Sequence, residues 1–265
     1  MEKKFDNSSI LITGGASGIG AAVASKVLSL GATPILVDLN LDQLKKTSEE
    51  LKLNGSFSVG DVTDENSLIK VLDFIQNKFP PLKGLVCSAG KAPIPKKIED
   101  TSLNEWNSII ESHLTGTFLS CKVFGCQMVK SGYGSIVNVS SVLAHNPGPV
   151  LAYGVAKSGI LNLTSSLSVQ WSSKNVRVNA VAPGWTDTPL LRPKERGHQR
   201  DLQPILSAVP QNRLMKPEEI ADVISFLLSP SSSSITGSVI NCDGGTLAGS
   251  GWPPYGGFPK KTNDN

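Results

Sequence analysis

The feature that most constrains the fold is a short apolar run, Ser9–Thr13, that breaks into Thr13-Gly14-Gly15-Ala16-Ser17-Gly18-Ile19-Gly20 and continues as a helical pattern over residues 18–30. Glycines let a backbone turn tightly and approach a bound group closely. A helix that begins there offers unpaired N–H groups and the positive end of its dipole to a pyrophosphate. The glycine spacing is G-x-x-x-G-x-G rather than G-x-G-x-x-G. A second strand pattern, Thr33–Asp38, ends in an acid. It lies about 20 residues beyond the glycines, where a carboxylate hydrogen-bonds a ribose 2′-hydroxyl. The alternative role for Asp38 is to cap the helix that follows.

The alternation continues along the chain. Further strand patterns cover 56–60, 84–88, 135–140, 176–181 and 238–241. Helical patterns cover 41–53, 65–78, 103–130, 151–173 and 217–228. Most strands are near-continuous Ile/Val/Leu runs, as helices on both faces of a parallel sheet require. The chain is predicted to be α/β and doubly wound, a single dinucleotide-binding and catalytic domain over 1–265. From Pro183 to Arg213 the rhythm breaks into Pro, Arg and polar residues. This segment follows a strand end, where ligands bind in such sheets, and reads as a lid at about 186–215. It offers Leu190, Leu191, Arg192, Arg196 and His198 to a substrate, with Lys91 and His145 nearby. The tail 246–265 is rich in Gly and Pro and carries Trp252, Tyr255 and Phe258. It is too apolar to float free.

A net charge of +3 with dispersed Lys and Arg argues against a nucleic-acid surface. No apolar run approaches the ~20 residues of a membrane span, and no apolar signal core precedes the first strand. The four cysteines, Cys87, Cys121, Cys126 and Cys242, lack zinc-ligand spacing. They read as free thiols in a reducing cytosol, so a cytoplasmic protein without a metal is expected.

The pattern Tyr153-Gly154-Val155-Ala156-Lys157 places a phenol and an amine one helical turn apart on one face. A cation beside a phenol lowers its pKa from about 10, giving a proton-transfer group usable near neutral pH.

With these parts in place, the chain from about Asn7 to Gly245 resembles the short-chain dehydrogenase/reductase family, in its short single-domain branch. The motifs are Thr13 to Gly20, Asp61-Val62, Ala89-Gly90, Asn138-Val-Ser-Ser141, Tyr153-x-x-x-Lys157, Asn179, Pro183-Gly184 and Asp243-Gly244-Gly245. The resemblance implies a Rossmann-type doubly wound sheet of seven parallel strands, a nicotinamide cofactor, and a tetramer or dimer. It implies that Gly14, Ser17, Gly18, Ile19 and Gly20 hold the pyrophosphate and Asp38 the ribose. Asp61 and Val62 would contact adenine, and Ala89 and Gly90 would line the same groove. Pro183, Gly184, Thr186 and Thr188 would hold the nicotinamide. Ser141 would orient the substrate oxygen and Tyr153 transfer the proton, while Lys157 would lower the tyrosine pKa and bind the second ribose beside it. Two serines compete for the first of these roles. Ser140 is thirteen residues before Tyr153, the family's usual interval. Counted from His113, Ser141 takes the place, with one residue lost from the loop to Leu151; Ser141 is preferred.

Three positions depart from the family. Cys87-Ser88-Ala89-Gly90 stands for Asn-Asn-Ala-Gly, and Cys87 reads as a small buried residue. The loop after Ser141 is short and holds His145-Asn146-Pro147. His113 stands where the family has a fourth catalytic residue, an asparagine holding a water that links the lysine to solvent. An imidazole beside a cationic lysine should be mainly neutral and can also bind a water. Its alternative role is local helix hydrogen bonding.

The expected activity is NAD-dependent hydride transfer between nicotinamide and a secondary alcohol or ketone, by an alcohol dehydrogenase or carbonyl reductase. Asp38 favours NAD because a 2′-phosphate would meet its charge. One unit pair at ~4 Å and effective ε near 20 is worth about 4 kcal/mol. Even ~2 kcal/mol after screening exceeds tenfold discrimination. The rivals are a secondary-metabolism reductase acting on a large substrate and a non-catalytic NAD-binding regulatory protein. A small alcohol or ketone is the expected partner, with no nucleic acid and no membrane. A homotetramer built on the helices near 103–130 and 151–173 is expected, with a dimer possible and the tail against a neighbouring subunit.

Overall fold

A strand covered on both faces must bury every residue, and β1 (Ser9–Thr13) does so along its whole length. The computed structural model describes residues 5–191 and 201–258, apart from the side chain of Tyr255. Arg192, Arg196 and His198 of the expected lid, and 259–265 of the tail, lie outside the described residues.

The described strands are β1, β2 (Thr33–Asp38), β3 (Phe57–Val59), β4 (Leu82–Cys87), β5 (Gly134–Val139), β6 (Val176–Pro183) and β7 (Val239–Cys242). They form one seven-stranded sheet in the order β3-β2-β1-β4-β5-β6-β7, and every pairing is parallel. The order reverses between β1 and β4, so a crevice opens at their C-terminal ends. The helices are α1 (Gly18–Ser29), α2 (Leu41–Glu50), α3 (Glu65–Lys78), α4 (103–131), α5 (Leu151–Trp171), α6 (Gln203–Ser207) and α7 (Pro217–Leu228). One core joins the sheet to α1, α2 and α7 through Val23, Leu44 and Ile224. The other joins it to α3, α4 and α5 through Val71, Phe124 and Trp171. No helix of the described residues is long and apolar enough to cross a membrane.

Two details bear on the site. α4 is interrupted by π-helical turns at Glu111–Thr115 and Cys121–Gly125. Each π turn inserts a residue into the α ladder, a device common near functional sites. Hydroxyls stitch the interruption, with Thr117 donating to the His113 carbonyl and Ser120 to that of Gly116, each at 2.7 Å. The expected lid is also pinched at its base. Thr186 pairs with Met215 in a parallel bridge, flanked by Met215 N–H to Trp185 O and Asp187 N–H to Met215 O. The tail turns back onto its own chain, where Gly249 packs between Phe258 and Pro210 and the Trp252 ring lies tilted at 45° to that of Phe258.

Candidate active site

Backbone crowding explains the glycine turn. Gly14 has φ +66°, and a Cβ there would lie 2.8 Å from the Ala89 backbone at the end of β4. A Cβ on Gly20 would lie 2.2 Å from the Gly14 carbonyl oxygen. Strand, turn and helix therefore meet backbone to backbone, and the α1 N-terminus stands open beside them. Ser17 occupies its N-cap position with no side-chain cap bond. Thr188, at the start of the lid, rests against Gly18.

Asp38 ends β2 and is free of the capping role. The α2 cap is Asn40, whose side chain accepts from the Gln43 N–H, while Asp38, among the described residues, accepts the Asn40 N–H alone, at 3.2 Å. Asp61 is locked in a turn by the Thr63 N–H and hydroxyl, at 2.8 and 2.7 Å. Val62 is buried against Gly116 of α4.

A cavity of about 590 Å³ runs along the strand ends, from Asp38 and Asp61 past the glycine turn to Tyr153, Trp185 and Leu247. Every position expected to bind cofactor or act in catalysis lines it, including Ile19, Ala89, Pro183, Gly184, Thr186, Ser141 and His113. The glycine cradle, the uncommitted acid at the end of β2 and the length of the cavity fit a nicotinamide dinucleotide. Sequence reasoning missed Pro93, Leu143, Trp185 and Leu247 on the cavity wall. Pro93, Trp185 and Leu247 follow the ends of β4, β6 and β7, so the strand-end rule was the available signal.

Tyr153 and Lys157 lie on the first turns of α5. The Lys157 ammonium stands 5.4 Å from the Tyr153 ring centroid and donates to the Val139 carbonyl at 2.6 Å. The two serines part company. Ser140 donates to the Lys157 backbone carbonyl at 2.8 Å, a buried tie between β5 and α5. Ser141 caps the turn after β5 by accepting the Leu143 N–H, and hydrogen-bonds the Tyr153 phenol.

The electrostatics correct one expectation. Lys157 does not pull the phenol pKa down. Burial raises Tyr153 above its ordinary value, partly offset by the bond from Ser141. Burial also depresses Lys157 itself to about 7. Both charged forms lose hydration here, and that loss sets the direction of both shifts.

His113 sits in the first π turn of α4, edge-on to Tyr153. Its Nε2 lies 2.9 Å from the Lys91 carbonyl. A carbonyl only accepts, so Nε2 carries the proton and Nδ1 is a bare acceptor. Nδ1 is buried without a partner among the described residues. Burial first, then the Lys157 charge, lowers the imidazole pKa to about 3, against the opposing Lys91 bond. The expectation of a neutral imidazole holds. The ring also fills the space above Gly90, where a Cβ would come within 2.0 Å of Cε1. Cys87 is buried, and a hydrogen bond with Cys121, then burial, hold its thiol protonated.

The family model described as enoyl-(acyl carrier protein) reductase matches residues 14–246. Cis-4-hydroxycyclohexanecarboxylate dehydrogenase from Sinomonas cyclohexanicum is 36% identical over 252 residues, covering 94% of this chain and 100% of that protein. The chain belongs to the short-chain dehydrogenase/reductase family. As a short-chain dehydrogenase/reductase it is a nicotinamide-dependent oxidoreductase. A solved NAD+-bound xylitol dehydrogenase matches it with a TM-score of 0.85 at 29% identity, covering 92% of this chain and 100% of that one. A structure described as ribose-5-phosphate isomerase from Brucella melitensis matches with a TM-score of 0.93 at 31% identity, covering 98% and 100%.

Proposed function

We propose that the chain is a cytoplasmic NAD-dependent dehydrogenase of secondary alcohols, run in reverse as a carbonyl reductase. The carrying observation is the placement of Ser141, Tyr153 and Lys157 at one end of a cavity whose other end holds the glycine turn and Asp38. The relative named for a ring-borne secondary alcohol and the NAD+-bound neighbour support the same reading.

A nicotinamide dinucleotide bound in the cavity supplies or accepts the hydride. The chain's own residues handle the proton and the geometry. Ser141 and Tyr153, already hydrogen-bonded to each other, together hold the substrate oxygen. Tyr153 takes the alcohol proton during oxidation and returns it during reduction. Its raised pKa keeps it protonated at neutral pH, the form that reduction needs. Oxidation needs positive charge beside the phenol to free the phenolate; an oxidised nicotinamide ring would add it when bound, next to the Lys157 ammonium. His113 Nδ1, bare and buried beside Tyr153, holds a water or takes the proton on its way from Lys157 to solvent.

The isomerase name of one neighbour suggests cofactor-free proton transfer. That reading leaves the glycine cradle and Asp38 without a purpose, and we set it aside. The roles of a large-substrate reductase or a silent NAD sensor are outcomes of the same assay. Turnover of an alcohol panel is followed by NADH absorbance. NAD should outperform NADP at least about tenfold in kcat/KM, with Asp38→Ser shrinking the ratio. Tyr153→Phe should lose turnover by orders of magnitude while still binding NAD. Activity retained in Tyr153→Phe, or none with any alcohol, ends the proposal.

A further inference from the structure

We infer that Lys91 is an anion-binding residue of the substrate pocket, so that the preferred alcohols carry a carboxylate or similar anionic group beyond an apolar body. This rests on the oxidoreductase reading above and names its substrate class.

Lys91 follows the end of β4 and lines the cavity next to Pro93 and Pro95. It is held from both ends. Its carbonyl accepts the His113 Nε2–H, and its ammonium donates to the Ser108 hydroxyl of α4 at 2.9 Å. An ammonium has three donors, so two remain for a ligand. The same loop offers a contrast one turn earlier on α4. There Lys96 pairs with Glu105, a carboxylate that neutralises it. Lys91 meets only a neutral hydroxyl, and among the described residues it forms no ion pair.

The rest of the cavity separates charges by sign. Its carboxylates, Asp38 and Asp61, lie at the ends of β2 and β3, at the edge of the sheet away from β5 and β6. The lining also holds apolar side chains, Leu143, Val150, Trp185 and Leu247. Lys157, buried under Tyr153, donates to the Val139 carbonyl. A cation with spare donors, in a cavity that also holds apolar side chains and whose carboxylates lie at the far edge of the sheet, matches an anionic group through charge-assisted hydrogen bonds. Tying both ends of the residue beforehand reduces the ordering cost of binding. A substrate that seats its hydroxyl on Tyr153 and its anion on Lys91 is fixed at two points, with its hydrocarbon against those apolar side chains.

The test uses the full chain with NAD. The probes are 3-hydroxybutyrate, 4-hydroxypentanoate, 5-hydroxyhexanoate and 4-hydroxycyclohexanecarboxylate, each paired with its carboxamide. The series also measures the spacing between the two anchor points. At least one acid should exceed its amide in kcat/KM by about tenfold or more. Lys91→Met should lower that acid-to-amide ratio about tenfold, mainly by raising KM for the acid, and Lys91→Arg should keep most of it. Lys96→Met, in the same loop, should leave the ratio in place. The inference is overturned if no acid is preferred, or if Lys91→Met leaves the ratio unchanged while amides are still oxidised; the oxidoreductase reading then survives. No turnover of these acids and amides, nor of any other secondary alcohol, with NAD or NADP overturns both.

Discussion

The imidazole of His113 stands T-shaped to the phenol ring of Tyr153, with centroids 5.0 Å apart and planes 87° apart. The same imidazole covers Gly90 and holds the Lys91 carbonyl. One side chain thus links α4, the loop after β4 and the proton-transfer residue on α5. A change on any of the three should be felt at the other two.

Gly90→Ala is expected to clash with the imidazole, since the new Cβ would sit 2.0 Å from Cε1. Overpacking of this kind costs about 1–3 kcal/mol. His113→Asn should retain activity and should relieve the clash, so the double variant should recover melting temperature and turnover. His113→Leu should lose most activity, because it keeps bulk but has no acceptor. A Gly90→Ala defect of equal size in the His113→Asn background would show that the crowding lies elsewhere.

The two serines should fail differently. Ser141→Ala removes the hydrogen bond to the phenol and should lower kcat with the fold intact. Ser140→Ala removes a buried tie to the Lys157 carbonyl and should cost about 1–3 kcal/mol of stability. Urea unfolding and steady-state kinetics on both variants separate these effects. A larger kcat loss in Ser140→Ala would reverse the assignment.

The pH dependence of stability follows from two buried bases. His113 falls from 6.5 to about 3 on folding, and Lys157 from 10.5 to about 7. In each window the unfolded chain binds the extra proton, so stability rises with pH and is lost as pH falls through the folded value. Without cofactor, the parent should therefore gain stability from about pH 3 to 6.5 and again from about 7 to 10.5. Each gain should reach at least about 1 kcal/mol. His113→Asn should flatten the acid limb and Lys157→Met the alkaline one. Melting temperatures across pH 4–10 check this, and an unchanged alkaline slope in Lys157→Met would contradict the depressed ammonium.

Assembly is expected through α4 and α5. Phe118, Val155 and Val169 are apolar and exposed on these helices, Val169 at 79%. A partner helix laid along them would take that apolar surface out of water. A homotetramer, or a dimer, should sediment at micromolar concentration. Phe118→Glu or Val169→Glu should shift it toward monomer, and a parent that is already monomeric would rule the interface out.

Much of this was legible in the sequence because parallel strands buried on both faces leave an unmixed apolar signature. All seven strand patterns appear, with β3 shortened to Phe57–Val59. The helical pattern over 41–53 overshoots α2, because Leu51 and Leu53 continue the apolar spacing after the helix has ended at Glu50. The π turns of α4 left no trace, since one inserted residue barely disturbs hydrophobic periodicity over a long helix. The electrostatic balance at Tyr153 was misjudged for a similar reason. Spacing reveals that Lys157 is near, but burial decides the sign, and burial belongs to the whole packed structure.

The bridge between Thr186 and Met215 gives the fold a socket. Whatever chain runs between those two residues leaves and returns at one point. Its length is then nearly free, since doubling a loop costs only about 0.6 kcal/mol in closure entropy. Evolution can exchange that insert as a cartridge, trading one substrate for another, while the sheet, the glycine turn and the proton-transfer residues stay untouched.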